Sequence, residues 1–76
     1  MTLSITLTGM LAASMGYKRR DIDVGDQTTV KKLLEQLALP IKVEWLAVSV
    51  NGFLKDKKDM LKEGDAVLIM QAGGAG

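Results

Sequence analysis

Only one stretch of this 76-residue chain carries an apolar stripe at full helical spacing. Val30, Leu33, Leu34 and Leu37 fall at i, i+3, i+4 and i+7, one face of an α-helix. Lys31, Lys32, Glu35 and Gln36 take the opposite face. Thr28 or Thr29 supplies an N-cap, and Pro40 stops the helix because its ring clashes with the preceding turn and it has no N–H to donate. The spacing predicts one helix, over about residues 29–38. A lone helix with one stripe has to bury that stripe on a sheet.

The rest of the chain supplies the strands. Thr2 to Thr8 alternates polar and apolar, which turns Leu3, Ile5 and Leu7 to one side. Arg20 to Val24 is a shorter alternation with Ile22 and Val24 inward. Glu44 to Val50 alternates again, with Leu46, Val48 and Val50 on one face and Trp45, Ala47 and Ser49 on the other. Asn51-Gly52 is a hairpin turn, since a type I′ turn needs positive φ at both positions, and Phe53 to Lys55 returns as a short strand. The last strand is Ala66 to Met70. Residues 10–18 are ambiguous: Met10, Leu11 and Met15 suit one short apolar turn that Gly16 would stop.

The order is strand, strand, helix, strand, short strand, strand. That predicts an α+β fold of the β-grasp type, a mixed sheet of four to five strands with one main helix packed on one face, and first and last strands side by side at the centre. The expected core is Leu3, Ile5, Leu7, Ile22, Val24, Val30, Leu33, Leu34, Leu37, Leu46, Val48, Val50, Leu61, Val67 and Ile69. Residues 1–70 form the domain, and residues 71–76 a flexible Gly-rich tail.

Composition excludes several functions. With neither Cys nor His, the chain lacks thiolate ligands, disulfides and the usual general base. A net charge of +1 is too balanced for a non-specific nucleic-acid binder. No apolar run approaches the roughly 20 residues that span a bilayer, and the first residues lack the pattern of a signal peptide. The expectation is a cytoplasmic protein with no bound metal or cofactor, no nucleic acid and no membrane. Gly25, Gly52 and Gly64 read as turn glycines rather than a phosphate loop. Tyr17-Lys18-Arg19-Arg20, followed at once by Asp21 and Asp23, reads as a solvated hairpin rim. Lys55, Lys57 and Lys58 alternate with Asp56 and Asp59 as a solvated connector.

Three segments, taken in order, resemble the ThiS/MoaD family of ubiquitin-like sulfur carriers. Thr29-Val30-Lys31-Lys32-Leu33-Leu34-Glu35-Gln36-Leu37 is similar to the family's Thr-Val-x-x-Leu-Leu-x-x-Leu helix. Ala47-Val48-Ser49-Val50-Asn51-Gly52 is similar to its strand ending in Asn-Gly. Leu61-Lys62-Glu63-Gly64-Asp65-Ala66-Val67 is similar to its lead into the last strand. The resemblance implies a carrier and not an enzyme. A ubiquitin-activating-type partner, which uses ATP, adenylates the C-terminal glycine. Sulfur replaces AMP to give a thiocarboxylate, and a downstream synthase takes the sulfur for thiamine thiazole or molybdopterin.

The tail, Gln71-Ala72-Gly73-Gly74-Ala75-Gly76, fits that chemistry, because glycines make a thin leash for an enclosed adenylation site. The family pattern stops at Gly-Gly, whereas this chain continues. Three readings stay open. A processing protease removes Ala75-Gly76 and leaves Gly74, beside Gly73, as the working terminus; or Gly76 is itself activated; or the tail is a plain chain end. Trp45, Ala47, Leu68 and Met70 face away from the helix by alternation, an apolar patch expected to dock the activating enzyme. The competing classes are a non-covalent β-grasp binding or regulatory module and a ubiquitin-like protein modifier.

Overall fold

The computed structural model describes residues 1–73. Its elements are β1 (Thr2–Leu7), α1 (Gly9–Met15), β2 (Arg19–Asp23), α2 (Val30–Leu37), a 3-10 turn (Val43–Trp45), β3 (Leu46–Val50), β4 (Phe53–Lys55) and β5 (Ala66–Gln71). The five strands form one sheet in the order β2-β1-β5-β3-β4. β1 and β5 run parallel, with Ile5 opposite Val67 and Leu7 opposite Ile69. The other pairings are antiparallel. This is the expected mixed sheet, at the upper end of the expected strand number, with the first and last strands adjacent in its interior.

The helix forms where its stripe lies. The Thr29 hydroxyl accepts from the Lys32 amide at 3.2 Å and caps α2, while Ala38 ends it in the left-handed region at φ 52°. Val30, Leu33 and Leu34 are buried against Leu3, Ile5, Leu7, Val48, Val67 and Ile69. Two expected core residues sit further out. Ile22 lies on the edge strand β2 and Leu37 in the last turn of α2, and both are only partly buried. Leu11 joins the core instead.

The ambiguous residues 10–18 contain a second helix, α1. Gly16, at φ 80°, closes it by donating its N–H to the Ala12 carbonyl at 3.0 Å. One turn to either side of Leu11 is too short for periodicity to reveal. The strand expected from Glu44 begins only at Leu46, because Val43–Trp45 wind into the 3-10 turn. β5 extends one residue past Met70, pairing Gln71 with Leu46.

The Asn-Gly and Gly-Asp motifs meet in space. Asn51 and Gly52 have φ of 53° and 89°, as a type I′ turn requires. The Asn51 side chain donates to an Asp65 carboxylate oxygen at 3.0 Å and accepts from the Ala66 amide at 3.0 Å. The other Asp65 oxygen accepts from the Lys62 amide at 2.8 Å. This clamp ties the β3–β4 turn to the start of β5 and so fixes the register of the strand that carries the tail. Asn51→Ala is expected to cost about 1–3 kcal/mol, since it leaves the buried Asp65 carboxylate and the Ala66 amide short of partners. Asn51→Gly relieves the positive-φ cost but not those losses, so comparing their urea midpoints isolates the clamp. Equal midpoints for both variants and the parent would remove it as an energetic element.

Candidate functional site

The helix covers one face of the sheet, and the side chains that alternate away from it make the open face. There Ala47 of β3 lies opposite Met70 of β5, and Ser49 lies opposite Leu68. Leu68 is also the neighbour of Thr6 on β1. Trp45 precedes this row from the 3-10 turn rather than from a strand, so its position beside the patch comes from the turn and not from pleat alternation. All four patch residues are partly buried. Spacing alone therefore located Ala47, Leu68 and Met70 on a shared surface. It left out Leu54, which lies opposite Ser49 on the same face and is 74% exposed. Hairpin register carries that signal: a two-residue turn at Asn51-Gly52 sets Ser49 against Leu54.

The root of the tail lies against Trp45. The Ala72 N–H donates to the Trp45 carbonyl at 2.7 Å, continuing the β3–β5 ladder by one bond. The Gln71 side-chain amide donates to the Gly73 carbonyl at 3.1 Å. The Lys42 ammonium stands 4.9 Å from the centre of the partly buried Trp45 ring, a cation–π contact. Among the described residues, a Cβ built on Gly73 would meet only Trp45 Cδ1, at 3.9 Å, which is ordinary contact. Gly73 thus sits beside the apolar patch, at a position with room for a Cβ among the described residues. The other candidate termini, Gly74 and Gly76, lie outside the described residues.

Among the described residues no group of three or more acidic side chains is arranged to hold a metal, and no helix is long and apolar enough to cross a membrane. Asp21 and Asp23 follow Arg20 along β2 and are exposed, and the Arg20 guanidinium stands over the Tyr17 ring at 5.4 Å. The basic rim is therefore partly occupied with itself. Among the described residues the site consists of a tail root and an apolar face.

The ThiS family profile matches residues 5–76. The chain belongs to the ThiS family. Members of the ThiS/MoaD group are small sulfur carriers rather than catalysts. No curated protein sequence matches it significantly. Among solved structures, small archaeal modifier protein 1 of Haloferax volcanii overlays with a TM-score of 0.80 at 20% identity, over 95% of this chain and 98% of that one. The thiamine biosynthesis protein ThiS of Geobacter metallireducens gives 0.59 at 25% identity, over 96% and 99%. A chain from the complex of subunits 1 and 2 of the molybdopterin-converting factor of Helicobacter pylori gives 0.60 at 20%, over 100% of both. This ThiS-family protein therefore has the ubiquitin-like β-grasp fold that its strand order describes.

Proposed function

We propose that this ThiS-family protein carries sulfur as a thiocarboxylate on its C-terminal glycine. The carboxylate attacks the α-phosphorus of ATP on a ubiquitin-activating-type enzyme, and pyrophosphate leaves. A sulfur nucleophile at the sulfide level then adds to the acyl carbon, and AMP leaves. ATP belongs to the partner; the carrier itself binds no cofactor. Its own contribution is to present the tail. The row Trp45, Ala47, Leu68 and Met70 docks the enzyme while the chain beyond Gln71 enters the active site. Gly74 is the favoured working terminus, with Gly73 beside it, once a protease has removed Ala75-Gly76; Gly76 is the alternative.

One observation carries this reading. Gly73 stands where the free protein has room for a Cβ, so intramolecular packing does not account for glycine there. A narrow channel in a partner does, because a side chain near the reacting carbon would meet its wall. The apolar face beside Gly73 is the surface that a partner enclosing the tail would cover.

A downstream synthase is the second partner, by analogy with the two-subunit molybdopterin-converting complex, one chain of which shares the fold. The sulfur acceptor is of the thiamine-thiazole or molybdopterin type, and the compartment is the cytoplasm. The test is the intact mass of untagged protein from its native cells. One terminal oxygen replaced by sulfur supports the carrier reading, and loss of Ala75-Gly76 in the same species assigns Gly74. Sulfur on the full-length chain assigns Gly76. Adducts on lysines of other proteins would instead make it a modifier. No adduct, even with ATP and the activating enzyme added, would leave a non-covalent binding module.

A further inference from the structure

The hairpin edge holds a second surface that neither the tail nor the open face uses. β4 is an edge strand, and its Phe53 is 72% exposed. Phe53 lies opposite Val50 and Lys55 opposite Val48, so both point to the helix side of the sheet, away from Leu54 and the open-face patch. Met60, 50% exposed and held beside α2 by its bridge to Thr29, faces Phe53 across a cleft. The almost fully buried Val50 lies at its base, and Lys55 and Lys62 stand on its rim.

The hairpin also fixes which backbone groups are free. In a two-residue type I′ hairpin the pair flanking the turn, Val50 and Phe53, is hydrogen-bonded, and pairs alternate from there. Leu54, in the next pair, therefore turns its N–H and C=O outward to the open edge. The edge presents a backbone donor and acceptor beside a cleft with Phe53 and Met60 on its walls, the combination by which strand addition binds extended peptides.

Charge selects the occupant. Asp65, which also lines the cleft, accepts from Asn51 and the Lys62 amide, and Asp59 accepts from the Asp56 amide. Lys55 and Lys62 make no ion pair among the described residues. A second copy of this chain is a poor occupant. Antiparallel β4–β4 pairing centred on Leu54 would set each Phe53 against the other copy's Lys55, a charged side chain and not an apolar one for the cleft.

We propose that the β4 edge and the Phe53–Met60 cleft dock an extended partner segment that carries an apolar side chain flanked by carboxylates. The segment pairs with Leu54, its apolar side chain enters between Phe53 and Met60, and its carboxylates meet Lys55 and Lys62. This surface is on the opposite side of the hairpin from the Trp45–Met70 row, so a partner can hold the protein by this edge while the tail is engaged elsewhere. The proposal stands independently of the carrier reading.

The test is a titration of the full 15N-labelled chain with a capped peptide, Asp-Glu-Val-Ile-Val-Asp-Glu, against a control in which lysines replace the acids. Shifts should centre on Phe53, Leu54, Lys55 and Met60 and leave Leu68 and Met70 in place. Affinity should fall about tenfold, or 1.4 kcal/mol, in Phe53→Ser, and several-fold in the double variant Lys55→Glu, Lys62→Glu. These side chains are exposed, so the variants should keep the parent's amide spectrum elsewhere. Equal binding of the lysine peptide, shifts centred on Leu68 and Met70, or no shifts at millimolar peptide would overturn the proposal. So would concentration-dependent association of the chain through β4 by sedimentation, which would make a second copy the occupant.

Discussion

Deleting residues 73–76 is expected to abolish sulfur loading and to change folding stability by less than about 1 kcal/mol. Within the described structure the deletion removes one exposed hydrogen bond, from the Gln71 side chain to Gly73. An exposed hydrogen bond exchanges with water at little net gain. The ladder bond from Ala72 to Trp45 remains. The proposed chemistry, by contrast, loses its reacting carbon altogether. Mass spectrometry after incubation with the activating enzyme, ATP and a sulfur donor reads the first quantity, and a urea melt reads the second. Loading of the truncated chain would sink the tail as the site. A large fall in stability would mean that the residues beyond Gln71 belong to the fold. Gly73→Ala is the finer probe: with space beside Trp45 it should fold as the parent does, and any loss of loading then belongs to the partner's channel.

Ile69→Ala is expected to destabilise the domain by about 2–5 kcal/mol. Ile69 is fully buried on the central strand, opposite Leu7 on one side and Val48 on the other. Truncating it opens a cavity in the middle of the sheet, where three strands and α2 meet and none can collapse alone. A chain of this size has a total stability of about 4–11 kcal/mol at typical per-residue values, so one substitution removes a large share. Ile22→Ala, on the outer strand and only partly buried, should cost clearly less. Denaturant midpoints of the two variants, measured together, check the ranking; equal losses would contradict the assignment of β5 to the centre.

Much of this was legible in the residues, and where it was not, the cause is local. Leu3, Ile5 and Leu7, and Val30 with Leu33 and Leu34, announce themselves because each element runs long enough for its period to show. α1 is too short for that, and its exposed Met10 and buried Leu11 are adjacent apolar residues with opposite fates. Glu44 and Trp45 continue a perfect alternation, yet the backbone coils there into the 3-10 turn; side-chain pattern cannot report a local change of φ and ψ. Phe53 and Leu54 read as ordinary strand residues. Their exposure follows from β4 lying at the edge, which depends on the order of all five strands. At the site, composition made the tail conspicuous. The bond from Ala72 to the Trp45 carbonyl needed the ladder to run past Met70, and no periodicity specifies where a strand stops.

The parallel pairing of β1 with β5 has a mechanical consequence. The tail leaves directly from β5, flanked by β1 on one side and β3 on the other. A pull on the tail acts along that strand, so it loads the bonds to both neighbours together in shear instead of opening them one at a time as at an unzipping edge. Resistance to such a pull is governed by the rate of forced unfolding, not by equilibrium stability. A leash anchored in this way can be drawn taut without unravelling the body it is tied to.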